Sequence, residues 1–282
     1  MGNLCAASSW TRPSTKIDDS THIPCRKLAL VIGLNYAQSR PSLHLRGCHN
    51  DALHMRTALE ERGYEVTLLM DDDGGAETCA TTRAGILDAI DAMVAKCRAC
   101  PAVESAWLSF SGHGTQCWDV GFEESDGYDE AILASDLQTI TDDVLNARLI
   151  RPLRDVCAVR GLLDCCHSGT GMDLGCTYDC TSDAIVSAPS LANQSPSDSR
   201  YAGFVSACAD RQTAADAEID GTFQGAATWA FLRVLCRADG TEAHALRDFA
   251  PAMQRELGTA FAQRVSCSAA DRTMLTDVPF VV

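Results

Sequence analysis

Leu-Leu-Asp-Cys-Cys-His-Ser-Gly-Thr-Gly-Met-Asp-Leu, residues 162–174, is the segment around which the chain is organised. It continues an apolar run that begins at Val159 and changes abruptly to small and polar residues, which is typical of a short buried strand that ends at a crevice. Ligands of open α/β sheets bind outside the carboxyl ends of such strands. A thiol at this place, with a base nearby, is a candidate nucleophile. The alternative is a pair of core cysteines, because cysteine often behaves as a small buried hydrophobe.

A second apolar run, Trp107-Leu-Ser-Phe-Ser-Gly-His-Gly114, ends in a histidine between two glycines. Two strands that each deliver one half of a Cys/His pair are hard to explain by packing alone. We therefore expect His113 and a cysteine of the first segment to meet at one edge of a sheet.

Together, Ser-Gly-His-Gly and Asp-Cys-Cys-His-Ser-Gly resemble the motifs of the metacaspases, relatives of the caspases in the same peptidase clan. The histidine comes first and the cysteine about fifty residues later, as in the compact type that has no long inserted linker. The resemblance extends from Lys27 to the C-terminus. It implies an α/β fold with a caspase-like, doubly wound, mostly parallel sheet and helices on both faces.

Apolar periodicity independently favours such a sheet. The pattern predicts a central strand over Leu28–Leu34 and a second strand over Tyr64–Met70, followed by a turn at residues 71–75. Between the two strands we predict a helix from Asp51 to about Arg62, capped by Asn50 and ended by Gly63. Strands and helices that alternate in this way build a parallel sheet. The later elements predicted from the pattern are a helix over Thr82–Lys96, a strand near Ala131–Ala134, a helix starting at Thr141, a strand over Tyr201–Ala207, helices over Gly225–Arg237 and Glu242–Leu257, and a final strand near Val278–Val282.

The predicted domain organisation has a short flexible leader, residues 1–26, and a caspase-like peptidase domain, residues 27–282. Within the domain, residues 27–180 form a large-subunit-like part that carries the catalytic Cys/His pair, which we call the dyad. Residues 181–200 form a mobile loop rich in Ser, Ala, Asn and Pro. Residues 201–282 form a small-subunit-like part, in which Asp210–Asp216 resembles the family's second-subunit loop.

Composition excludes several classes of protein. A net charge of −15 argues against nucleic-acid binding through a basic face, and 46% hydrophobic residues suffice for a large core. No run is long enough to span a membrane. The fifteen cysteines are an odd number without a secretory signal, so we expect mostly reduced thiols in the cytoplasm. Cys97-x-x-Cys100 closes a helix, whereas a redox pair opens one, and we interpret it as structural.

The N-terminus, Met1-Gly-Asn-Leu-Cys5, approaches an N-myristoylation signal with a neighbouring acylatable cysteine. Ala6 stands where Ser or Thr is expected. Acylation at Gly2 and Cys5 would place the protein at a membrane, and the alternative is an unmodified flexible terminus.

The choice between Cys165 and Cys166 follows from strand geometry and from the resemblance. Successive side chains of an extended backbone point in opposite directions, so only one thiol faces the crevice. The resemblance assigns Cys166 as the nucleophile and His113, rather than His167, as the base. The backbone N–H groups of Gly114 and Cys166 are the expected oxyanion donors.

The resemblance also implies a specificity pocket. Asp164 precedes the nucleophile by two residues and therefore lies on the same side of an extended strand. Carried over by position, Cys48, Asp51, Ser111 and Asp164 would line the pocket. Two carboxylates in a concave site favour Arg or Lys as the P1 residue of the substrate. The alternative for Asp51 is an ordinary acidic residue in the first turn of a helix.

Metacaspases of this kind are commonly activated by calcium, a cation that prefers several oxygen ligands. The matching acids are Asp129, Asp142, Asp143 and Asp173. Asp142 and Asp143 have a second interpretation as helix-capping acids.

We therefore expect a monomeric, Ca2+-dependent cysteine endopeptidase that cleaves protein or peptide substrates after Arg or Lys by a Cys/His dyad. One alternative is a lipid-anchored pseudopeptidase that acts by binding, although His113 and Cys166 are both present. The other is a thiol-rich redox or metal-storage protein, suggested by the number of cysteines alone.

Overall fold

The central sheet of the protein has eight strands, in a computed structural model that describes residues 26–71, 78–118, 128–165, 172–180, 182–187, 201–206, 216–219, 221–237, 245–261 and 263–280. The order of the strands is β2-β1-β3-β7-β10-β13-β8-β9. The first half of the chain supplies β1 Arg26–Gly33, α1 Cys48–Glu60, β2 Tyr64–Met70, α2 Arg83–Ala99, β3 Val103–Ser111, β4 Gly114–Trp118, β5 Tyr128–Leu133, β6 Thr139–Thr141 and α3 Asp142–Leu145. A π-helical turn, Asn146–Ile150, follows α3. The second half supplies α4 Arg151–Leu153, β7 Ala158–Asp164, β8 Cys176–Asp179, β9 Ala184–Ser187, β10 Ala202–Ser206, β11 Asp216–Ile219, β12 Thr222–Gly225, α5 Ala226–Arg237, α6 Leu246–Leu257, β13 Ser266–Ala269 and α7 Arg272–Thr276.

Strands β2, β1, β3, β7 and β10 are parallel, and β13, β8 and β9 extend the sheet in antiparallel pairing. The predicted mostly parallel sheet is thereby confirmed. Two smaller antiparallel units, β4-β5-β6 and β11-β12, stand apart from it. Strands from both ends of the chain share one sheet, so the parts before and after residues 181–200 are joined by that sheet.

Helices cover both faces of the sheet, which explains the unbroken apolar run of β1. Ala29 and Val31 join a core with α1, α5, α6 and α7, whereas Leu28, Leu30 and Ile32 join a second core with α2 and α3. We call these the α5-side core and the α2-side core. Because alternate residues of a strand point to opposite faces, a strand buried on both sides must be apolar at every position.

Three local predictions were wrong. Helix α1 begins at Cys48 rather than Asp51, and Asn50 does not cap it, because its side-chain amide donates to Phe223 O at 2.8 Å. Of the predicted strand near Val278–Val282, residues 278–280 form only an isolated bridge at Pro279, since proline lacks the N–H that a ladder needs, and residues 281–282 lie outside the described residues. Residues 184–187, predicted to lie in a mobile loop, form β9, where Ile185 and Val186 suit a strand.

The Cys97-x-x-Cys100 segment is structural, as predicted. Cys97 is fully buried at the end of α2, in the α2-side core. A hydrogen bond with Cys157, together with burial, holds the pKa of the Cys97 thiol far above its usual value. A thiol with a raised pKa is a poor nucleophile and a poor redox group.

Several predicted features lie outside the described residues: residues 1–25 of the leader with Gly2 and Cys5, the Cys166–Gly171 segment, residues 188–200 and residues 210–215. None of the described helices is long and apolar enough to cross a membrane.

Candidate active site

The candidate active site lies at the carboxyl ends of the parallel strands β3 and β7. The register pairs Ser111 with Asp164, the last residues of the two strands. Gly112 N donates to Asp164 O at 3.3 Å and joins the two strand ends. The prediction that the His-bearing and Cys-bearing segments follow neighbouring strands is confirmed.

His113 follows β3, and its imidazole has a defined hydrogen bond. Nε2 lies 2.8 Å from the carbonyl oxygen of Leu43, in the short 3-10 turn Pro41–Leu43. Because a carbonyl oxygen can only accept, Nε2 carries the proton of the neutral ring. Nδ1 is thereby left as the basic nitrogen, and the ring can accept a proton there.

The backbone of His113 is held on both sides. Its N–H donates to the Tyr36 hydroxyl at 2.9 Å, and its carbonyl accepts from Leu133 N at 3.0 Å. The Tyr36 ring lies against the imidazole, with 4.8 Å between the ring centroids. The histidine is thus fixed by its backbone, by one ring face and by Nε2.

Cys165 does not face the crevice. Its side chain is 1% exposed and belongs to the α2-side core, whereas the preceding Asp164 bonds to residues of the opposite face. The alternation expected for extended backbone is therefore observed up to Cys165. Cys166 and His167 lie outside the described residues, so the nucleophile and its share of the oxyanion hole stay predictions. Gly114, the other expected oxyanion donor, is the first residue of β4.

The two carboxylates of the predicted specificity pocket come together on the α5-side face. Asp51 accepts from Ser111 Oγ at 2.6 Å and from Gly225 N at 2.9 Å. Asp164 accepts from the backbone N and from Oγ1 of Thr228, at 2.8 and 2.7 Å. Both side chains are buried. Asp51 occupies the first turn of α1, and its carboxylate also accepts hydrogen bonds from two remote segments.

Cys48, the fourth predicted pocket residue, opens α1 one turn before Asp51 and is also buried. A small cavity beside Asp51 is lined by polar groups of Asp51, Ser111 and Thr228 and by apolar groups that include Met55. Asp51 and Ser111, two of the four predicted pocket residues, line this cavity, and Asp164 bonds to Thr228, which also lines it. Their role in binding substrate stays a prediction.

Gly225 and Thr228 are site residues that the sequence analysis missed. Thr228 is in the first turn of α5, where the positive end of the helix dipole stabilises the Asp164 carboxylate. A Cβ at position 225 would lie 2.3 Å from Asp164 Oδ2 and 2.8 Å from Asp51 Oδ2, so only glycine fits. Neither residue stands near a motif in the sequence, and no pattern there would have singled them out.

The predicted calcium ligands lie on segments that are tied together. Asn146 Nδ2 donates to the carbonyls of Met172 and Asp173, at 2.8 and 3.1 Å, and so links the turn after α3 to the segment after the Cys motif. Asp142 and Asp143 form the first turn of α3, and Asp142 is 2% exposed.

Asp129, the remaining predicted ligand, lies on β5 opposite Cys117. Carboxylate oxygens suit calcium. Within the described ranges, however, no three His, Cys, Asp or Glu side chains converge as a metal site would require. The predicted ligands suit the ion chemically but are not assembled around a common point.

A parallel sheet covered on both faces, with the histidine and cysteine segments at adjacent strand ends, defines the class of caspase-like α/β folds. The sequence profile described as "Metacaspase, peptidase C14 domain" matches residues 27–175. The chain belongs to the metacaspase family.

Individual relatives agree with this assignment. Metacaspase-1B of Aspergillus oryzae is 32% identical over 259 residues, which cover 74% of this chain and 60% of that protein. Metacaspase-1 of Meyerozyma guilliermondii is 30% identical over 260 residues, with 74% and 62% covered. The chain thus spans about three fifths of the length of these relatives. The crystal structure of protein GSU0716 from Geobacter sulfurreducens superposes with a TM-score of 0.59 at 27% identity, covering 92% of this chain and 99% of that one.

Proposed function

We propose that the chain is a cysteine endopeptidase that cleaves after Arg or Lys by means of a His113–Cys166 dyad and is activated by calcium. Membership of the metacaspase family supports the cysteine peptidase activity. The observation that carries the proposal is the hydrogen bond between His113 Nε2 and the carbonyl oxygen of Leu43. The bond from Nε2 to Leu43 O leaves Nδ1 as the base, at the end of the strand next to the one that leads into Cys166.

The proposed reaction uses the dyad in both directions. Nδ1 of His113 takes the proton of Cys166 Sγ, and the thiolate attacks the scissile carbonyl to form a C–S bond. The backbone N–H groups of Gly114 and Cys166 donate to the oxyanion. The imidazolium then gives its proton to the leaving amine as the C–N bond breaks, and water hydrolyses the thioester with His113 again as base.

The proposed preference for Arg or Lys rests on Asp51 and Asp164. Their bonds to Ser111, Gly225 and Thr228 hold both carboxylates in fixed orientations. A carboxylate accepts several hydrogen bonds at once, and a substrate cation would add a further donor to those that each aspartate already has. A guanidinium or ammonium group would compensate the two negative charges, whereas an aspartate would add a third.

The proposed calcium dependence rests on the chemistry of Asp129, Asp142, Asp143 and Asp173. Calcium would supply the positive charge that allows these carboxylates to approach one another. The four aspartates would then hold Met172 and Asp173 close to α3. The bonds from Asn146 to the carbonyls of Met172 and Asp173 already favour this arrangement. The cytoplasmic location, the monomeric state and acylation at Gly2 and Cys5 stay predictions.

Fluorogenic peptides that differ only at P1 test the proposal, assayed with and without calcium. We expect Arg and Lys peptides to be cleaved about a thousandfold or more better than the Asp peptide, because a charge mismatch with two carboxylates costs several kcal/mol. Equal cleavage after Asp would reject the pocket.

Substitutions in the dyad test the assignment of its members. Cys166→Ala and His113→Ala should each reduce turnover to background without unfolding the protein, because each removes half of the dyad. Cys165→Ser is the matched control and should keep its activity, since this side chain packs in the α2-side core. An inactive Cys165→Ser together with an active Cys166→Ala would reverse the assignment.

A further inference from the structure

We propose that Tyr36 and Asp71 are positioning residues for His113, acting through the loop between β1 and α1. This inference rests on the proposed function, because it concerns the base of that reaction. Neither residue is part of the histidine or cysteine motif, and both are buried beside the site.

Tyr36 contacts His113 in two ways. Its hydroxyl accepts from His113 N at 2.9 Å and donates to Leu133 O at 2.7 Å, and its ring packs on the imidazole. Leu133 N in turn donates to the His113 carbonyl. The phenol thus closes a ring of hydrogen bonds around the histidine backbone. Gly112 leaves room for it, since a Cβ there would lie 2.8 Å from the Tyr36 hydroxyl oxygen.

The loop that carries Tyr36 also carries the partner of the imidazole. Ser39 N and Ser39 Oγ both donate to Tyr36 O, at 2.9 and 2.7 Å, and start the turn that leads to Leu43. Leu43 O then accepts from His113 Nε2. A shift of Tyr36 would therefore move the backbone contact, the ring contact and the Nε2 contact of His113 together.

Asp71 holds this loop in a strained conformation. Tyr36 has φ 56°, a left-handed value that is costly for a bulky residue and persists only where the surroundings enforce it. Asp71, directly after β2, accepts from Asn35 N at 2.7 Å and from Tyr36 N. His49 Nε2 lies 2.7 Å from the same carboxylate and fixes its position. Residues that follow β1 and β2, together with His49 of α1, thus fix the position of Tyr36.

Tyr36→Phe is the decisive variant, because it keeps the ring and removes the hydroxyl. Asp71→Asn keeps the shape but replaces one acceptor by an NH2 group that cannot bind a backbone N–H. Tyr64→Phe is the matched control: Tyr64 is also buried, and its hydroxyl bonds to Ser105 Oγ at 2.9 Å, away from the site. Thermal unfolding is recorded for all three.

In Tyr36→Phe and Asp71→Asn we expect kcat to fall about 10- to 100-fold, with KM within about twofold of wild type, because misplacing a base affects the transition state rather than substrate binding. Tyr64→Phe should keep its kcat even if its melting temperature falls as much. Two results would overturn the inference. One is a kcat of Tyr36→Phe equal to that of Tyr64→Phe. The other is a fall in kcat in both tyrosine variants that follows the fall in their melting temperatures.

A second readout separates this inference from the proposed function. The rate at which iodoacetamide alkylates Cys166, followed by mass spectrometry of its peptide, reports on the Cys–His pair without any substrate. If the wild-type protein cleaves no peptide, the proposed function fails, but alkylation still decides the inference. We expect slower alkylation in Tyr36→Phe than in wild type and Tyr64→Phe, and equal rates in all three would overturn it.

Discussion

Gly225 shows how a single position controls the candidate pocket. Its N–H lies 2.9 and 3.0 Å from the two carboxylate oxygens of Asp51, and its missing side chain leaves room for Asp164. The two aspartates come from helix α1 and strand β7, and their separation is set by this one backbone segment. In the proposed pocket, the charge density offered to a substrate cation would therefore depend on a residue that carries no charge.

Gly225→Ala should lower kcat/KM for Arg peptides about 100-fold, because the new Cβ must displace one or both carboxylates. Selectivity for Arg over Asp at P1 should fall with it. Thr228→Ser is the control, since serine keeps both the N–H and the hydroxyl that bind Asp164. Wild-type kinetics and P1 selectivity in Gly225→Ala would show that the carboxylates do not bind the P1 side chain.

At the level of elements, the segment from Asp142 to Leu153 changes from α-helix to a π-turn and back. Such π-turns are rare in proteins, and those that do occur are often found at functional sites. Asn146, the first residue of the π-turn, bonds to Met172 and Asp173, so a movement of α3 would be transmitted to the segment after Cys166. This link gives the proposed calcium dependence a structural route to the cleft.

Asp142→Ala/Asp143→Ala should shift the midpoint of calcium activation upward by about tenfold or more, because two carboxylate ligands are lost. Direct calcium binding, measured by calorimetry, should weaken in parallel. Glu60→Ala/Glu61→Ala is the control, with the same change in charge at two exposed neighbouring positions at the end of α1. An unchanged midpoint in the aspartate variant would mean that Asp142 and Asp143 only cap a helix.

For the whole molecule, the two cores enclose several thiols and phenols in their neutral form. Burial raises the pKa of Tyr64 to about 12 and that of Cys267 far above its usual value. Unfolded thiols ionise at about pH 8.5 and phenols at about pH 10. Above these values the unfolded chain binds fewer protons than the folded one, so the free energy of unfolding must fall as the pH rises.

We expect the free energy of unfolding, measured by urea titration, to change little from about pH 7 to 8 and to fall between about pH 9 and 10, by about 1.4 kcal/mol per pH unit for each buried thiol. Cys267→Ala should flatten this slope by one such contribution, whatever its effect on stability at pH 7. Equal slopes in Cys267→Ala and wild type would show that this thiol is not kept neutral by the fold.

Much of the fold could be predicted from the sequence because the signals are local. The apolar run of β1 and the strand–helix alternation predict a parallel sheet covered on both faces, and the structure confirms it. The His113 and Cys165-Cys166 motifs stand at strand ends, and adjacent strands bring their ends together. Errors concentrate where long-range bonds override local preference, as in Asn50, which bonds to Phe223 instead of capping α1.

What the sequence by itself determined is the family and the class of sheet, and it named the candidate residues for the chemistry. Only the tertiary structure decided what surrounds them: Tyr36 and Asp71 around His113, and Gly225 and Thr228 around the two aspartates. The physical reason is the separation along the chain. Hydrogen bonds between residues as far apart as Asp51 and Gly225 leave no periodicity or spacing in the sequence, because they exist only once the sheet has brought distant segments together.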